Sequence, residues 1–197
     1  MDRRTVEFYD AEAPAYAEYL TGSARTPWLR RFVERLPDGG SVLDLGCGSG
    51  WAAARFAEAG FAVTATDASA GLAEEARRRH DLEVRIAPFD RLADVAAFDG
   101  VWASFSLLHD SRTAMPGHIG RVARALRPGG HLYLGLKEGA GARRDSLGRL
   151  YTYFGKAEMA GLLEVAAFDV LVCEVEPGTG YDGTAERMLH LIARRSG

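Results

Sequence analysis

The 197 residues are enough for one large domain, and 47% hydrophobic with 26% charged residues is the composition of a globular protein. A formal net charge of −3 argues against a surface built for duplex nucleic acid, and no apolar run reaches the roughly 18–20 residues of a membrane helix. The charged N-terminus lacks the apolar core of a signal peptide, and Cys47 and Cys173 form neither a disulfide framework nor a zinc motif. We therefore predict a cytoplasmic protein without a metal site.

Short apolar runs alternate with stretches of helical periodicity along most of the chain. Two helical segments come first, at 5–20, interrupted at Pro14, and at 27–35. The predicted strands are 41–45, 61–66, 82–87, 98–103, 131–136, 168–175 and 188–193. The predicted helices between them are 51–59, 72–79, 119–126 and 157–166. Strand alternating with helix predicts an α/β fold, with a doubly wound seven-stranded sheet covered on both faces.

Three connections refine this topology. Residues 88–97 leave room for one helical turn, and residues 138–151 are predicted to be irregular. Residues 176–187 are too few for a parallel crossover, so the last strand is predicted to be antiparallel. We expect a single domain over 1–197, with an N-terminal helical cap at 1–36 and the sheet core at 41–195.

A glycine-rich turn follows the first strand, in the run VLDLGCGSG. Such a turn lets the backbone approach a ligand closely as the next helix begins. The dinucleotide pattern G-x-G-x-x-G would need glycine where Trp51 stands, so an NAD-type pyrophosphate is disfavoured. Asp44, two residues before Gly46, instead suits a ligand that carries a cation, such as an amino-acid ammonium.

Two more carboxylates follow neighbouring strands. Asp67 ends the second strand, where an acid can accept hydrogen bonds from two ribose hydroxyls. Asp90 follows the third strand, where an acid can accept from the amino group of a base. Together with the glycine turn, these positions describe a nucleoside that bears an amino-acid tail.

The motifs resemble those of the class I S-adenosylmethionine-dependent methyltransferases. VLDLGCGSG resembles the first motif of that family, TATDAS the second, FDGVWASFSLLHD the fourth-strand motif and ALRPGGHLYLGLKEG the turn and fifth strand. The resemblance implies a Rossmann-like fold, an enzyme, and S-adenosyl-L-methionine as cofactor. It is greatest to a bacterial subgroup of small stand-alone enzymes that includes or borders the tellurite-resistance methyltransferase-like proteins. The chain departs from that subgroup's K-x-G-x-G-E stretch, because Ala142 stands where the glutamate is usual.

The resemblance also implies which residues hold the cofactor. Asp44, Gly46 and Gly48 correspond to positions that hold its methionine end. Asp67 corresponds to the ribose contact, and Ala68 to the flank of the adenine.

The rest of the implied cofactor site comes from later loops and from the N-terminal segment. Phe89 and Asp90 correspond to positions where the adenine ring is sandwiched and its amino group is bound. The backbone of Ser104 and Phe105 would meet the methionine portion, and Tyr16 would close over the cofactor.

Candidate catalytic residues are fewer. His109 follows the fourth strand at the edge where open α/β folds bind ligands, and a neutral histidine can orient a nucleophile or take its proton. The structural alternative is a histidine tied to the backbone that shapes its loop. Tyr151 is the second catalytic candidate, and Asp110 is a further candidate base.

The acceptor is expected between two glycine-containing segments, 138–154 and 178–187, because both should lie at the ligand edge. The predicted acceptor contacts are Arg143, Arg144, Tyr151 and Tyr181. Arginine with tyrosine suits a small acceptor that has an aromatic or anionic part.

The predicted function is in-line methyl transfer to a small molecule, in which alignment of the reactants supplies much of the rate. Transfer to a protein or RNA partner, and a cofactor-binding module without catalysis, are the alternatives. Ser104-Phe105-Ser106 replaces the Asn/Asp-Pro-Pro-aromatic stretch of many nucleic-acid amino methyltransferases, so no nucleic acid is expected. Neither is a membrane partner. The methylated atom, and the choice between monomer and homodimer, stay open.

Overall fold

A computed structural model describes residues 1–19 and 26–197. The helices are α1 (Arg3–Ala11), α2 (Ala13–Tyr19), α3 (Thr26–Val33), α4 (Trp51–Glu58), α5 (Ala70–His80), α6 (Met115–Ala125) and α7 (Lys156–Val165). The strands are β1 (Ser41–Leu45), β2 (Ala62–Asp67), β3 (Val84–Ile86), β4 (Phe98–Ser104), β5 (Leu126–Lys137), β6 (Ala142–Arg144), β7 (Leu150–Thr152), β8 (Phe168–Thr179) and β9 (Ala185–Arg195). None of these helices is long and apolar enough to cross a bilayer.

The central sheet has seven strands in the order β3-β2-β1-β4-β5-β9-β8. The first five are parallel, and β9 runs antiparallel to both β5 and β8. The predicted doubly wound α/β sheet with an antiparallel last strand is thereby confirmed. Strand order reverses between β1 and β4, which opens a crevice at the carboxyl ends of the strands.

Side chains of alternate strand residues fill two cores, one on each face of the sheet. Val42 and Trp102 pack with residues of α3 and α4 on one face. Leu43 and Val101 pack with residues of α6 and α7 on the other. Because both faces are covered, the strands read as nearly continuous apolar runs, which is why their positions were visible in the sequence.

The N-terminal segment breaks earlier than predicted. The interruption between α1 and α2 falls at Glu12 rather than at Pro14, because proline is tolerated in the first turn of a helix. Asp2 caps α1 by accepting a hydrogen bond from the Thr5 N–H at 2.9 Å. The last residue of the predicted segment, Leu20, lies outside the described residues.

The segment 138–151, predicted to be irregular, contains β6 and the first part of β7, which form an antiparallel hairpin. Thr5 Oγ1 accepts a hydrogen bond from the Leu150 N–H at 2.9 Å, which ties the hairpin to α1. In the connection 88–97, by contrast, the predicted single turn is present as a short 3-10 helix, Phe89–Arg91. The hairpin, α1 and α2 thus meet above the carboxyl ends of the parallel strands.

Candidate active site

The turn after β1 is built on glycines in the left-handed region, with φ of +77° at Gly46 and +57° at Gly48. A Cβ at Gly46 would lie 2.4 Å from the Ser106 Cβ, so the turn needs glycine for close packing as well as for its backbone angle. The Gly46 N–H donates to the Thr66 carbonyl at 2.8 Å, and Ser106 Oγ donates to the Leu45 carbonyl at 2.6 Å. The turn is therefore fixed between the ends of β2 and β4.

Asp67, at the end of β2, bonds back to this turn. Its Oδ2 accepts from the Gly48 N–H at 2.8 Å and its Oδ1 from the Ser69 N–H at 2.9 Å. The side chain is 7% exposed, and burial raises the pKa of its carboxyl above the usual value. Each carboxylate oxygen has a second lone pair, which leaves capacity for two hydroxyl donors.

A narrow cavity of about 60 Å³ lies over the turn and the end of β2. Eight of the ten predicted cofactor residues line it: Tyr16, Asp44, Gly46, Gly48, Asp67, Phe89, Ser104 and Phe105. Ala68 and Asp90 lie outside its lining, and the Asp90 side chain is exposed to solvent. We call this space the first cavity.

A second cavity of about 330 Å³ adjoins the first and shares four wall residues with it: Tyr9, Tyr16, Phe105 and His109. Its remaining lining includes five more aromatic side chains, those of Tyr19, Trp28, Tyr151, Tyr181 and His190. The Tyr181 ring lies 5.1 Å from the Tyr16 ring, and Trp28 stacks on His190 at 4.4 Å. This lining suits a flat, apolar-faced ligand.

His109 is fixed in the wall between the cavities. Its Nδ1 lies 2.7 Å from the Leu150 carbonyl oxygen, and its Nε2 lies 3.0 Å from the Tyr9 hydroxyl. A carbonyl only accepts, so Nδ1 carries the hydrogen and Nε2 accepts from Tyr9. The side chain is 4% exposed, and this burial lowers its pKa to about 4. His109 is thus neutral at physiological pH and a weak base.

Two buried cations also line the second cavity. Neither was among the predicted acceptor contacts, although Arg149 lies in the segment 138–154 that was expected beside the acceptor. Lys137 Nζ lies 3.0 Å from Glu186 Oε1 and 3.5 Å from the centre of the Tyr151 ring. Arg149 is 1% exposed, donates to Asp145 at 2.6 Å and donates to the Tyr9 hydroxyl at 3.2 Å. The sequence did offer a signal for Lys137, because it ends a strand whose second half is otherwise apolar and buried, at the edge of the sheet where ligands bind.

The predicted acceptor residues divide between the cavity and the surface. Tyr151 and Tyr181 line the second cavity. Arg143 and Arg144 do not: Arg143 is 62% exposed and lies over the Tyr153 ring, while Arg144 pairs with Asp2 at 2.8 Å. Their short strand runs along the surface, where long charged side chains reach nearby carboxylates.

Asp110, the further candidate base, lies outside both cavities. Its Oδ2 accepts from His118 at 2.8 Å and from the Met1 amine at 2.7 Å. No cluster of three metal-ligating side chains occurs within residues 1–19 and 26–197.

Comparison with known proteins agrees with this geometry. Residues 42–130 match the methyltransferase domain family. One similar solved structure is Burkholderia thailandensis 1,6-didemethyltoxoflavin-N1-methyltransferase with bound 1,6-didemethyltoxoflavin and S-adenosylhomocysteine. The two structures superpose with a TM-score of 0.78, at 25% sequence identity, and the match covers 98% of this chain and 88% of that one. The chain belongs to the class I S-adenosylmethionine-dependent methyltransferases. Its similarity to the tellurite-resistance subgroup stays a prediction.

Two further relatives extend the comparison. A complex of DhpI with S-adenosylhomocysteine superposes with a TM-score of 0.69, at 25% identity over 98% of this chain and 96% of that one. Cypemycin N-terminal methyltransferase of a Streptomyces species is 33% identical over 139 residues, which cover 68% of this chain and 54% of the relative. The chain therefore spans about half the length of that curated relative.

The first cavity fits the cofactor of this family, S-adenosylmethionine. Carboxylates stand on two adjoining strands, with Asp44 suited to an ammonium and Asp67 to ribose hydroxyls. Phe89 supplies an apolar wall at 3% exposure. Ser104 Oγ is buried beside them without a hydrogen-bond partner in the described part of the chain, so it is available to a polar ligand.

Proposed function

We propose that the protein transfers a methyl group from S-adenosylmethionine to a small molecule, with the cofactor in the first cavity and the acceptor in the second. The shared wall of Tyr9, Tyr16, Phe105 and His109 carries the proposal, because it sets the space lined by the predicted cofactor residues directly beside a second, larger cavity. The small acceptor bound to the Burkholderia methyltransferase supports it.

The chain's own residues bind and align the reactants. The cofactor, when bound, supplies a methyl group on a positively charged sulfur. Asp67 and the glycine turn hold its nucleoside, and Asp44 faces its ammonium. Tyr9 and Tyr16 lie across the junction of the two cavities and exclude water. Exclusion of water favours a displacement in which charge is neutralised, and alignment lowers the barrier further.

Proton handling in this proposal differs from the sequence-based expectation for His109 and Tyr151. A histidine with its pKa at about 4 is a poor proton acceptor, and burial raises the Tyr151 pKa far above its usual value. His109 is instead a positioning residue that orients the Tyr9 hydroxyl. The acceptor therefore enters with a nucleophilic lone pair already available.

The N-terminal helices act as a cap in this proposal. Tyr9 of α1 and Tyr16 of α2 contribute to both cavities, which supports the predicted helical cap over a single core. The volume of the second cavity, about 330 Å³, also favours a small acceptor over a folded protein or RNA. For the cofactor-binding module without catalysis, the distinguishing result is binding without turnover.

Calorimetry and a transfer screen test the proposed function. We expect S-adenosylmethionine to bind and NADH to bind more weakly or not at all. Thiols, phenols, amines and metalloid oxyanions are then screened by the release of S-adenosylhomocysteine. Tighter binding of NADH would overturn the cofactor assignment, and cofactor binding with no turnover across the screen would favour the non-catalytic alternative.

A further inference from the structure

We infer that the second cavity selects a planar aromatic acceptor in its anionic form, with an acidic oxygen held by Lys137 and Arg149. The inference rests on the proposed function, since it names the acceptor class of the same site. Its basis is the two buried ion pairs, Lys137–Glu186 and Arg149–Asp145, together with the weak basicity of His109. The proposed cofactor site gives neither of these features a role.

Both ion pairs present their positive ends to the cavity. Lys137 and Arg149 line it, whereas their partners Glu186 and Asp145 do not. The four side chains are 7% exposed or less, so their charges are little screened by solvent. Glu176, which also lines the cavity, is exposed to solvent and exerts a weaker influence.

Both cations keep hydrogen-bond donors for a ligand. The Lys137 ammonium has three N–H groups, of which one is directed to Glu186 and one faces the Tyr151 ring. Bonds to Asp145 and to the Tyr9 hydroxyl account for three of the five N–H groups of Arg149. An anionic oxygen between them gains charge-assisted bonds, while a ligand ammonium meets like charge.

The aromatic lining dictates the shape of the ligand. Two groups of aromatic rings line the cavity: Tyr16 packs edge-on against Tyr181, and Trp28 stacks on His190. A flat ring has low conformational entropy and stacks on such walls. The two cations therefore favour an anionic ligand, and the aromatic rings favour a planar one.

The weak basicity of His109, in the wall between the cavities, also favours an acceptor that is already anionic. A neutral phenol or ring N–H would have to lose its proton to His109, whose pKa is about 4. An acidic acceptor that loses its proton to bulk water, with its anion stabilised by Lys137 and Arg149, needs no base. Its lone pair then forms the bond to the methyl carbon as the methyl–sulfur bond breaks, and S-adenosylhomocysteine leaves as a neutral thioether.

Three probes of similar size separate charge from shape: para-hydroxybenzoate is anionic, para-hydroxybenzamide is neutral and tyramine is cationic. Each is titrated calorimetrically into the protein with and without S-adenosylhomocysteine. We expect para-hydroxybenzoate to bind about ten-fold more tightly than the amide, with tyramine weakest. Tyramine equal to or tighter than the benzoate, or no binding by any probe, would overturn the inference.

Paired variants locate the charge preference. Lys137→Met with Glu186→Gln removes one ion pair with side chains of similar size, and we expect the benzoate preference to fall to about two-fold. Arg143→Met removes the exposed contact to the same Glu186 and should leave the preference intact. A preference that survives the double substitution places the anion elsewhere. Failure of S-adenosylhomocysteine itself to bind would count against the proposed function, and the probe ranking without it would still test the inference.

Discussion

Removal of the Asp67 carboxylate should weaken both cofactor binding and folding, by amounts that can be measured separately. Asp67→Ala deletes the acceptor of two ribose hydroxyls, and hydrogen bonds to a charged group contribute about 1.5–3 kcal/mol. Cofactor affinity should therefore fall roughly 10- to 150-fold. The same substitution leaves the Gly48 and Ser69 N–H groups without their acceptor, so the free energy of unfolding should also fall, by about 2 kcal/mol or more.

A matched carboxylate provides the control. Asp99, at the start of β4, accepts from the Ser41 N–H at 2.8 Å and pairs with Arg127, away from both cavities. Asp99→Ala should lower stability and leave affinity for S-adenosylhomocysteine within about a factor of two. Calorimetry gives the affinities and denaturant unfolding gives the stabilities. Equal affinity in wild-type protein and Asp67→Ala would refute the ribose assignment.

The remaining predictions concern the wall and the cap. Because the His109 pKa is lowered to about 4, the unfolded state takes up a proton at a higher pH than the folded state does. The free energy of unfolding should therefore fall by about 3 kcal/mol as the pH drops from about 6.5 to about 4. Chemical denaturation should show a weaker pH dependence for His109→Gln. Tyr151→Ala should lower the rate of methyl transfer at least about ten-fold and leave cofactor affinity nearly unchanged. Arg143→Ala should change neither the rate nor the affinity. Equal transfer kinetics for the two variants would place the acceptor elsewhere. S-adenosylhomocysteine should slow hydrogen exchange in α1 and α2, and unchanged protection there would make these helices purely structural.

The fold was largely readable from the sequence because parallel strands covered on both faces leave continuous apolar runs. The β6–β7 hairpin escaped prediction for the complementary reason. Ala142, Arg143 and Arg144 are all exposed, and a strand of three exposed residues carries no apolar pattern. Contact with α1 stabilises the hairpin, and that contact is not encoded locally.

The site was readable only where chemistry and chain position coincide. Glycine, Asp44 and Asp67 stand at strand ends, so the topology alone brings them to the first cavity. Arg149 is different, because a charged residue in a glycine-rich segment is usually exposed. Arg149 is buried because the Tyr9 hydroxyl and the Asp145 carboxylate accept its hydrogen bonds. Likewise, only the packed structure shows that burial makes His109 a weak base.

A crystal structure with S-adenosylhomocysteine and para-hydroxybenzoate would locate both ligands at once. We expect the ribose hydroxyls on Asp67, the adenine beside Phe89 and the sulfur at the wall formed by Tyr9, Tyr16, Phe105 and His109. We expect the aromatic acid across that wall, with its carboxylate between Lys137 and Arg149. A nucleoside bound away from Asp67 would contradict the cofactor site, and a second cavity that stays empty while the acid binds elsewhere would contradict the acceptor site.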